Sequence, residues 1–157
     1  MARVSPLAGF AFPAARELRL AEVPFLTQLA VRAKKLEADS LALGPDEWLV
    51  VGPPDTAAEL TARLDSVESI VDVSAARTTI AVDGGRARDL LAHGCALDLD
   101  PRVFPVGRCA QTLLAHVPVI VVATETGFRV MVRASYARHL AQWLADAATE
   151  YVSGVEQ

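Results

Sequence analysis

The side chains able to carry chemistry gather between Ser74 and Arg108 in this 157-residue chain, with three histidines spread more widely. Gly84-Gly85 follows an alternating apolar stretch and precedes a short helical pattern, a position where backbone N–H groups can face a phosphate. The pair lacks the spacing of the dinucleotide fingerprint and of the P-loop, so it reads as a tight strand-to-helix turn. His93, His116 and His139 do not converge at metal-ligand spacing. Cys95 lies near His93 and Cys109 follows Arg108. A reactive thiolate needs an electropositive, partly exposed niche. Cys109 falls in an apolar stretch, where a buried inert thiol is expected. Ser74, Arg77, Asp98 and Asp100 have the types to line a cleft. Two carboxylates do acid–base work only when their surroundings separate their pKa values. Asp98-Leu99-Asp100-Pro101 shows no such surroundings and is expected to cap and solvate a loop. Arg108 and Gln111 flank an expected strand, where they can hydrogen-bond a partner or an anion or form a surface cross-strand pair.

The elements that hold these residues follow from periodicity. Leu18 and Leu20 alternate with charged neighbours, as do Leu29 and Val31 with polar or small ones, which predicts two strands joined as a hairpin. Lys34 to Ser40 is charged and expected to be exposed, and Gly44-Pro45-Asp46 is a turn signal. Trp48-Leu49-Val50-Val51 predicts a buried strand. A helix follows, with Thr56 and Glu59 at capping-box spacing and Leu60 and Leu64 on one face. Ile70–Val73 and the alternating Thr78, Ile80 and Val82 predict two further strands. A short helix carrying Leu90 and Leu91 is expected to end at His93-Gly94 in a left-handed glycine cap. Strands are expected over Cys109–Leu114, Val117–Ala123 and Phe128–Arg133, the second central and covered on both faces. A last helix is expected from the cap candidate Ser135, with Tyr136, Leu140, Trp143, Leu144, Ala147 and Tyr151 as its apolar stripe. Paired strands separated by single helices predict an α+β fold of ferredoxin-like units, with mixed or antiparallel sheets and helices packed on them.

Residues 1–15 read as an extended arm, because two prolines and a glycine prevent a regular element. Leu7, Phe10 and Phe12 are costly to leave in water, roughly 1.5–3 kcal/mol each when fully buried. The arm is therefore expected to lie on its own core or on a partner. Residues 16–157 read as a single compact α+β domain, with a two-lobed build left open. The hydrophobic share is 52%, the formal net charge −4 and the pI about 5.3. That balance argues against a nucleic-acid-binding footprint. The apolar excess suits a protein–protein interface. The longest apolar runs fall far short of the roughly 18 residues a membrane helix needs. Pro6 and Pro13 break the only signal-peptide-like stretch, so a cytoplasmic protein is expected.

Several segments, in order, resemble the gamma subunit of heterotetrameric sarcosine oxidase. They are Ser5-Pro6-Leu7-Ala8, Gly44-Pro45-Asp46-Glu47-Trp48-Leu49, Asp72-Val73-Ser74 with Arg77, and Leu97-Asp98-Leu99-Asp100. Gly107-Arg108-Cys109-Ala110-Gln111-Thr112 and Arg133-Ala134-Ser135-Tyr136 with Trp143-Leu144 complete the set. The resemblance implies the fold of the folate-binding aminomethyltransferases. It also implies an assembly that oxidatively demethylates sarcosine with FAD, FMN, NAD and tetrahydrofolate, all carried by larger subunits. The partners implied are the alpha, beta and delta subunits, with neither nucleic acid nor membrane. The aminomethyltransferases carry an acid where this chain has Ala115-His116-Val117-Pro118, read as the start of a strand. That departure favours a non-catalytic assembly subunit, with no catalytic residue or metal ligand of its own. Interface candidates are Leu7, Phe10, Phe12, Arg77, Arg108 and Gln111. Two rivals stand beside this reading: a stand-alone folate-binding or aminomethyltransferase-like protein, with Asp98 or Asp100 as replacement acid, and a small-molecule-sensing regulatory module.

Overall fold

The computed structural model describes residues 3–36 and 39–152, which carry nine strands, most of them marked by alternating apolar and polar residues. The order is β1 (Arg19–Val23), β2 (Thr27–Arg32), β3 (Leu41–Ala42), β4 (Glu47–Gly52), α1 (Ala57–Ala62), β5 (Ser69–Asp72) and β6 (Arg77–Asp83). It continues with α2 (Ala87–Ala92), β7 (Cys109–Leu114), β8 (Val117–Ala123), β9 (Gly127–Arg133) and α3 (Ala137–Val152). The chain divides into two compact units, residues 24–77 and the remainder. The fold is α+β, as its strand and helix order implied.

In the larger unit the sheet runs β1-β6-β9-β8-β7. β1–β6, β7–β8 and β8–β9 pair antiparallel, with Arg19 opposite Asp83, Leu114 opposite Val117 and Val121 opposite Val130. Successive strand residues point to opposite faces. One face therefore presents Leu20, Ile80, Val82, Val119, Val121, Phe128, Val130 and Val132. Against it lie Leu90 and Leu91 of α2 and Leu140, Ala141, Leu144 and Ala148 of α3. β8 lies between β7 and β9, and Val119, Ile120 and Val121 are buried while Val122 is half-buried, so its continuous apolar run reported a central strand.

The arm completes this core. Leu7 is 3% exposed, and Phe10 and Phe12 pack half-buried against the same cluster, with ring centroids 4.8 Å apart. The Glu22 carboxylate of β1 holds it in place. It accepts from Ser5 Oγ at 2.6 Å, from the Leu7 backbone N–H at 3.3 Å and from Thr78 Oγ1 of β6 at 2.6 Å. Arg138 of α3 donates to the Ala8 carbonyl at 2.7 Å.

The smaller unit has sheet order β3-β4-β2-β5, with Leu29 opposite Val50 and Val31 opposite Ile70. Leu29, Val31, Ala33 and Val50 form its core, with Trp48 and Leu60 packed against it. Trp48 Nε1 donates to the Ala33 carbonyl at 2.9 Å, which pairs the indole's single polar atom.

Several local expectations are corrected. β1 and β2 do not form a hairpin. β1 pairs with β6, and β2 with β4 and β5, because long-range register rather than proximity chose the partners. Strand β3 carried too short a signal to read. The capping box of Thr56 and Glu59 does not form: Thr56 Oγ1 donates back to the Pro53 carbonyl, and Thr27 Oγ1 accepts the Thr56 N–H at 3.1 Å. Leu64 lies past the end of α1 yet joins the same apolar cluster. Ser135 sits in a single 3₁₀ turn, Ala134–Tyr136, ahead of α3, and Tyr136 is 46% exposed, outside the buried stripe. Gly94 is not in the left-handed region; a Cβ there would lie 2.7 Å from Trp143, so close packing explains the glycine. Ala115 and His116 are not strand residues. Both have positive φ, 51° and 66°, and make the two-residue turn between β7 and β8. Such turns match the twist of the strands they join. Lys34, Lys35 and Asp39 are exposed as expected, while Glu37 and Ala38 lie outside the described residues.

The glycine pair ending β6 yields a direct test. Gly84 has φ +112°, and a Cβ would sit 2.2 Å from the Glu17 carbonyl oxygen; Gly85 has open space. Gly84→Ala is expected to destabilise the chain by at least about 2 kcal/mol and Gly85→Ala by well under 1 kcal/mol, measured by urea unfolding. Glu22→Ala is expected to leave the unfolding transition cooperative but speed chymotryptic cleavage after Phe10 roughly tenfold, because the arm loses its charged anchor.

Candidate functional site

Where the end of β6 meets the start of β9 and the turn before β1, the surface opens into a groove of about 930 Å³. One wall is the chain from Phe12 to Leu20, and the other is Asp83, Gly84, Gly85, Thr126 and Arg129. An isolated bridge between Ala15 and Leu18 turns the chain sharply and leaves Arg16 and Glu17 exposed at its tip. Leu18 and Leu20 point into the core and fix that wall. Gly84 allows the close approach of the two walls described above.

Asp83 lines the groove. Arg129 Nη1 donates to its Oδ1 at 2.8 Å, and Thr126 Oγ1 donates to the same oxygen at 2.8 Å. Arg19 faces it across the β1–β6 pair. Burial raises the carboxyl's pKa. The hydrogen bonds from Arg129 and Thr126, with the charges of Arg129 and Arg19, outweigh it and hold the group below its ordinary value of 3.8. Glu17 accepts from Arg86 Nε at 3.3 Å, and Arg86 also donates to Asp89 at 3.1 Å. Both carboxylates of the groove are thus matched by arginines.

The groove is not a phosphate cradle. The Gly84 N–H donates to the Thr126 carbonyl, the Arg86 N–H to the Glu17 carbonyl and the Ala87 N–H to the Gly84 carbonyl, at 3.0–3.1 Å. Three of the N–H groups around the start of α2 are thus engaged by the chain itself, and α2 has only six residues. These residues do not fit a nucleotide or flavin diphosphate, and the reading of Gly84-Gly85 as a tight turn holds.

The other candidates are placed apart. Asp100 accepts from Arg102 through its backbone N–H, Nε and Nη2 at 2.9–3.0 Å, and Asp98 Oδ1 accepts the Asp100 N–H at 3.0 Å. Arg102 holds the Asp100 pKa below its ordinary range. The acidic loop is therefore a self-bonded turn, tied by Arg88 Nε to the Leu99 carbonyl. Ser74, in the smaller unit, bonds to Asp72 and accepts the Gln28 N–H. His93 meets Tyr151 OH at 3.1 Å and Glu150 at 3.5 Å; His116 sits in the β7–β8 turn, and His139 is exposed on α3. Among the described residues no three His, Cys, Asp or Glu side chains gather as a metal set. Cys95 is buried, and Cys109 is half-buried rather than buried, because β7 is a sheet edge.

The interface candidates divide. Leu7 belongs to the chain's own core, while Phe10 and Phe12 keep part of their surface in water. Arg77 is half-buried at the start of β6. Arg108 is exposed, donates to the Val103 carbonyl at 2.9 Å and lies over the Phe104 ring. Gln111 is exposed on β7. The groove itself was not read from the sequence. Its one sequence signal is the pair of arginines at 16 and 19, just before and at the start of a strand, which charge alternation alone does not distinguish from a solvated edge.

The fold and this surface define an α+β scaffold whose distinctive feature is a charged groove rather than a convergent set of reactive side chains. The chain belongs to the sarcosine oxidase, gamma subunit family, whose sequence model matches residues 7–150. It is 38% identical over 131 residues to the sarcosine oxidase subunit gamma of Corynebacterium sp. strain P-1, covering 80% of this chain and 64% of that one. It is 38% identical over 117 residues to the Arthrobacter sp. subunit gamma, covering 72% and 58%. The chain thus spans roughly three-fifths of these relatives' length. A chain of the heterotetrameric sarcosine oxidase from Corynebacterium sp. U-96, solved with pyrrole 2-carboxylate, superposes with a TM-score of 0.85 at 30% identity, covering 99% of both chains. Among the described residues no helix is long and apolar enough to cross a membrane.

Asp83 sets a pH signature. Its folded pKa lies below the unfolded value of 3.8, so its contribution is complete above that value and is lost as pH falls through the folded one. Asp83→Asn is expected to flatten this part of the acid limb of stability, the loss that sets in as pH falls through and below 3.8. At neutral pH it is expected to cost about 1–3 kcal/mol, followed by urea unfolding.

Proposed function

We propose that this chain is a gamma-type, non-catalytic subunit of a sarcosine oxidase assembly, one that braces larger subunits carrying the redox and folate chemistry. The observation that carries the reading is the superposition on a chain of a heterotetrameric sarcosine oxidase over 99% of both chains. In this reading the partners are alpha, beta and delta subunits. FAD, FMN, NAD and tetrahydrofolate reside on those partners, and the chain works in the cytoplasm. The engaged N–H groups at Gly84, Arg86 and Ala87 support placing the dinucleotides elsewhere.

The surface between Val103 and Leu113 supports a docking role. Val103, Val106 and Leu113 are 47%, 63% and 53% exposed beside Arg108 and Gln111, and β7 is a sheet edge. Apolar side chains flanked by arginine are the usual composition of an interface core and its margin. Phe10 and Phe12 are further docking candidates, and Arg77 a polar one.

Co-expression with the alpha, beta and delta subunits encoded by the same organism is the test. The chain is expected to co-purify in equal stoichiometry, and the purified chain alone is expected to release no formaldehyde from sarcosine. Leu113→Asp with Val106→Asp is expected to weaken co-purification at least roughly tenfold without shifting the isolated chain's melt. Recovery of the chain free of all three subunits would overturn the reading.

A further inference from the structure

The charges along the groove do not cancel. Arg129 is matched by Asp83, and Arg86 by Glu17 and Asp89. Arg16 and Arg19 remain, both exposed and without a hydrogen bond or salt bridge among the described residues, although Arg19 acts on Asp83 through its charge. They stand three residues apart, Arg16 within the turn that the Ala15–Leu18 bridge closes and Arg19 just beyond it, on a wall that also carries Phe12 and Pro13. A chain of net charge −4 therefore concentrates two unpaired guanidinium groups on one apolar-walled groove. The groove is open rather than enclosed, unlike small-molecule sites, which surround most of their ligand. Its long wall of consecutive residues suits an extended segment.

We infer that this groove receives an extended segment of a partner subunit bearing two Asp or Glu side chains that pair with Arg16 and Arg19, an assignment that rests on the assembly role proposed above. Guanidinium forks bind carboxylates with two parallel N–H···O bonds, which fixes the segment's register as well as its charge. The apolar stretch from Phe12 to Ala15 takes side chains between the two acids. Charge pairs at an interface margin chiefly set association rate and salt dependence.

The test uses the full-length chain and the remaining assembly of alpha, beta and delta subunits purified without it, with binding followed by biolayer interferometry between 50 and 500 mM sodium chloride. Arg16→Glu with Arg19→Glu is expected to weaken binding at least roughly tenfold at low salt and to flatten its salt dependence. Arg16→Gln with Arg19→Gln is expected to give a smaller loss. Arg63→Glu, an exposed charge in the other unit, is expected to leave affinity unchanged. Arg16→Glu alone is expected to keep the wild-type melting temperature, while the variants at Arg19 are expected to lower it slightly, because Arg19 stands opposite Asp83 and acts on it through its charge; binding is therefore compared at a temperature where every variant is folded. Wild-type binding unaltered in the Arg16/Arg19 reversal would overturn the groove while leaving the assembly role standing. Absence of wild-type binding would overturn both. Competition by inorganic phosphate beyond that of chloride at equal ionic strength would assign the groove to a small anion and overturn the partner segment.

Discussion

One carboxylate, that of Glu22, joins three stretches of chain distant in sequence: Ser5 and Leu7 of the arm, β1, and Thr78 of β6. The physical requirement behind it is the apolar face of the five-stranded sheet. Two helices cover that face in part, and Leu7, Phe10 and Phe12 pack against the same core. The arm has only the local turn bonds Ala8 N–H to the Ser5 carbonyl and Phe10 N–H to the Leu7 carbonyl, and neither ties it to the sheet, so its placement needs polar anchors as well as burial. A charged acceptor taking several short hydrogen bonds supplies one, and Arg138 on the Ala8 carbonyl supplies another. The wall of the groove from Phe12 to Leu20 includes the last residues of this anchored arm, so the geometry of the proposed docking surface is inherited from the packing of the core.

In the proposed assembly role, the groove and the edge of β7 would divide the docking task by chemistry. The β7 edge offers apolar side chains around Arg108 and Gln111, suited to desolvated contact. The groove offers two guanidinium groups without a salt bridge, and a local excess of one positive charge once Arg86 is set against both Glu17 and Asp89, on a chain that is negative overall. Asp83 keeps Arg129 out of that account by binding it within the chain. Without this pair the groove would present a third guanidinium without a salt bridge, and selectivity for a segment with two acids would be weaker. A scaffold that must fit one partner benefits from counting charges as well as exposing area.

Much of the fold was legible because its signals are local. The alternation of Thr78, Ile80 and Val82, the continuous Val119–Val122 run and the helical spacing of Leu140, Leu144 and Ala147 each report an apolar face within a short window. The self-bonded turn at Asp98–Arg102 followed from the habit of Asp side chains to accept backbone N–H groups two residues on. Capping was less legible. Thr56 and Glu59 have the right spacing, but Thr27 is close enough to take the Thr56 N–H instead, and only the folded chain brings Thr27 there. Gly94 was read as a backbone device and proves to be a packing one, because its neighbour Trp143 lies 49 residues away in sequence and its ring fills the space of a Cβ.

By itself the sequence determined the α+β class, the extent of most strands, the apolar character of the arm and, through the order of its segments, the family resemblance. These rest on interactions between residues a few positions apart or on residue identity alone. Tertiary structure decided which strands pair, where the arm lies, and that Asp83, Thr126 and Arg129 meet beside Arg19. Strand partnership is a competition among all registers in the chain, and burial of a whole sheet face settles it. No window of residues contains both sides of that competition.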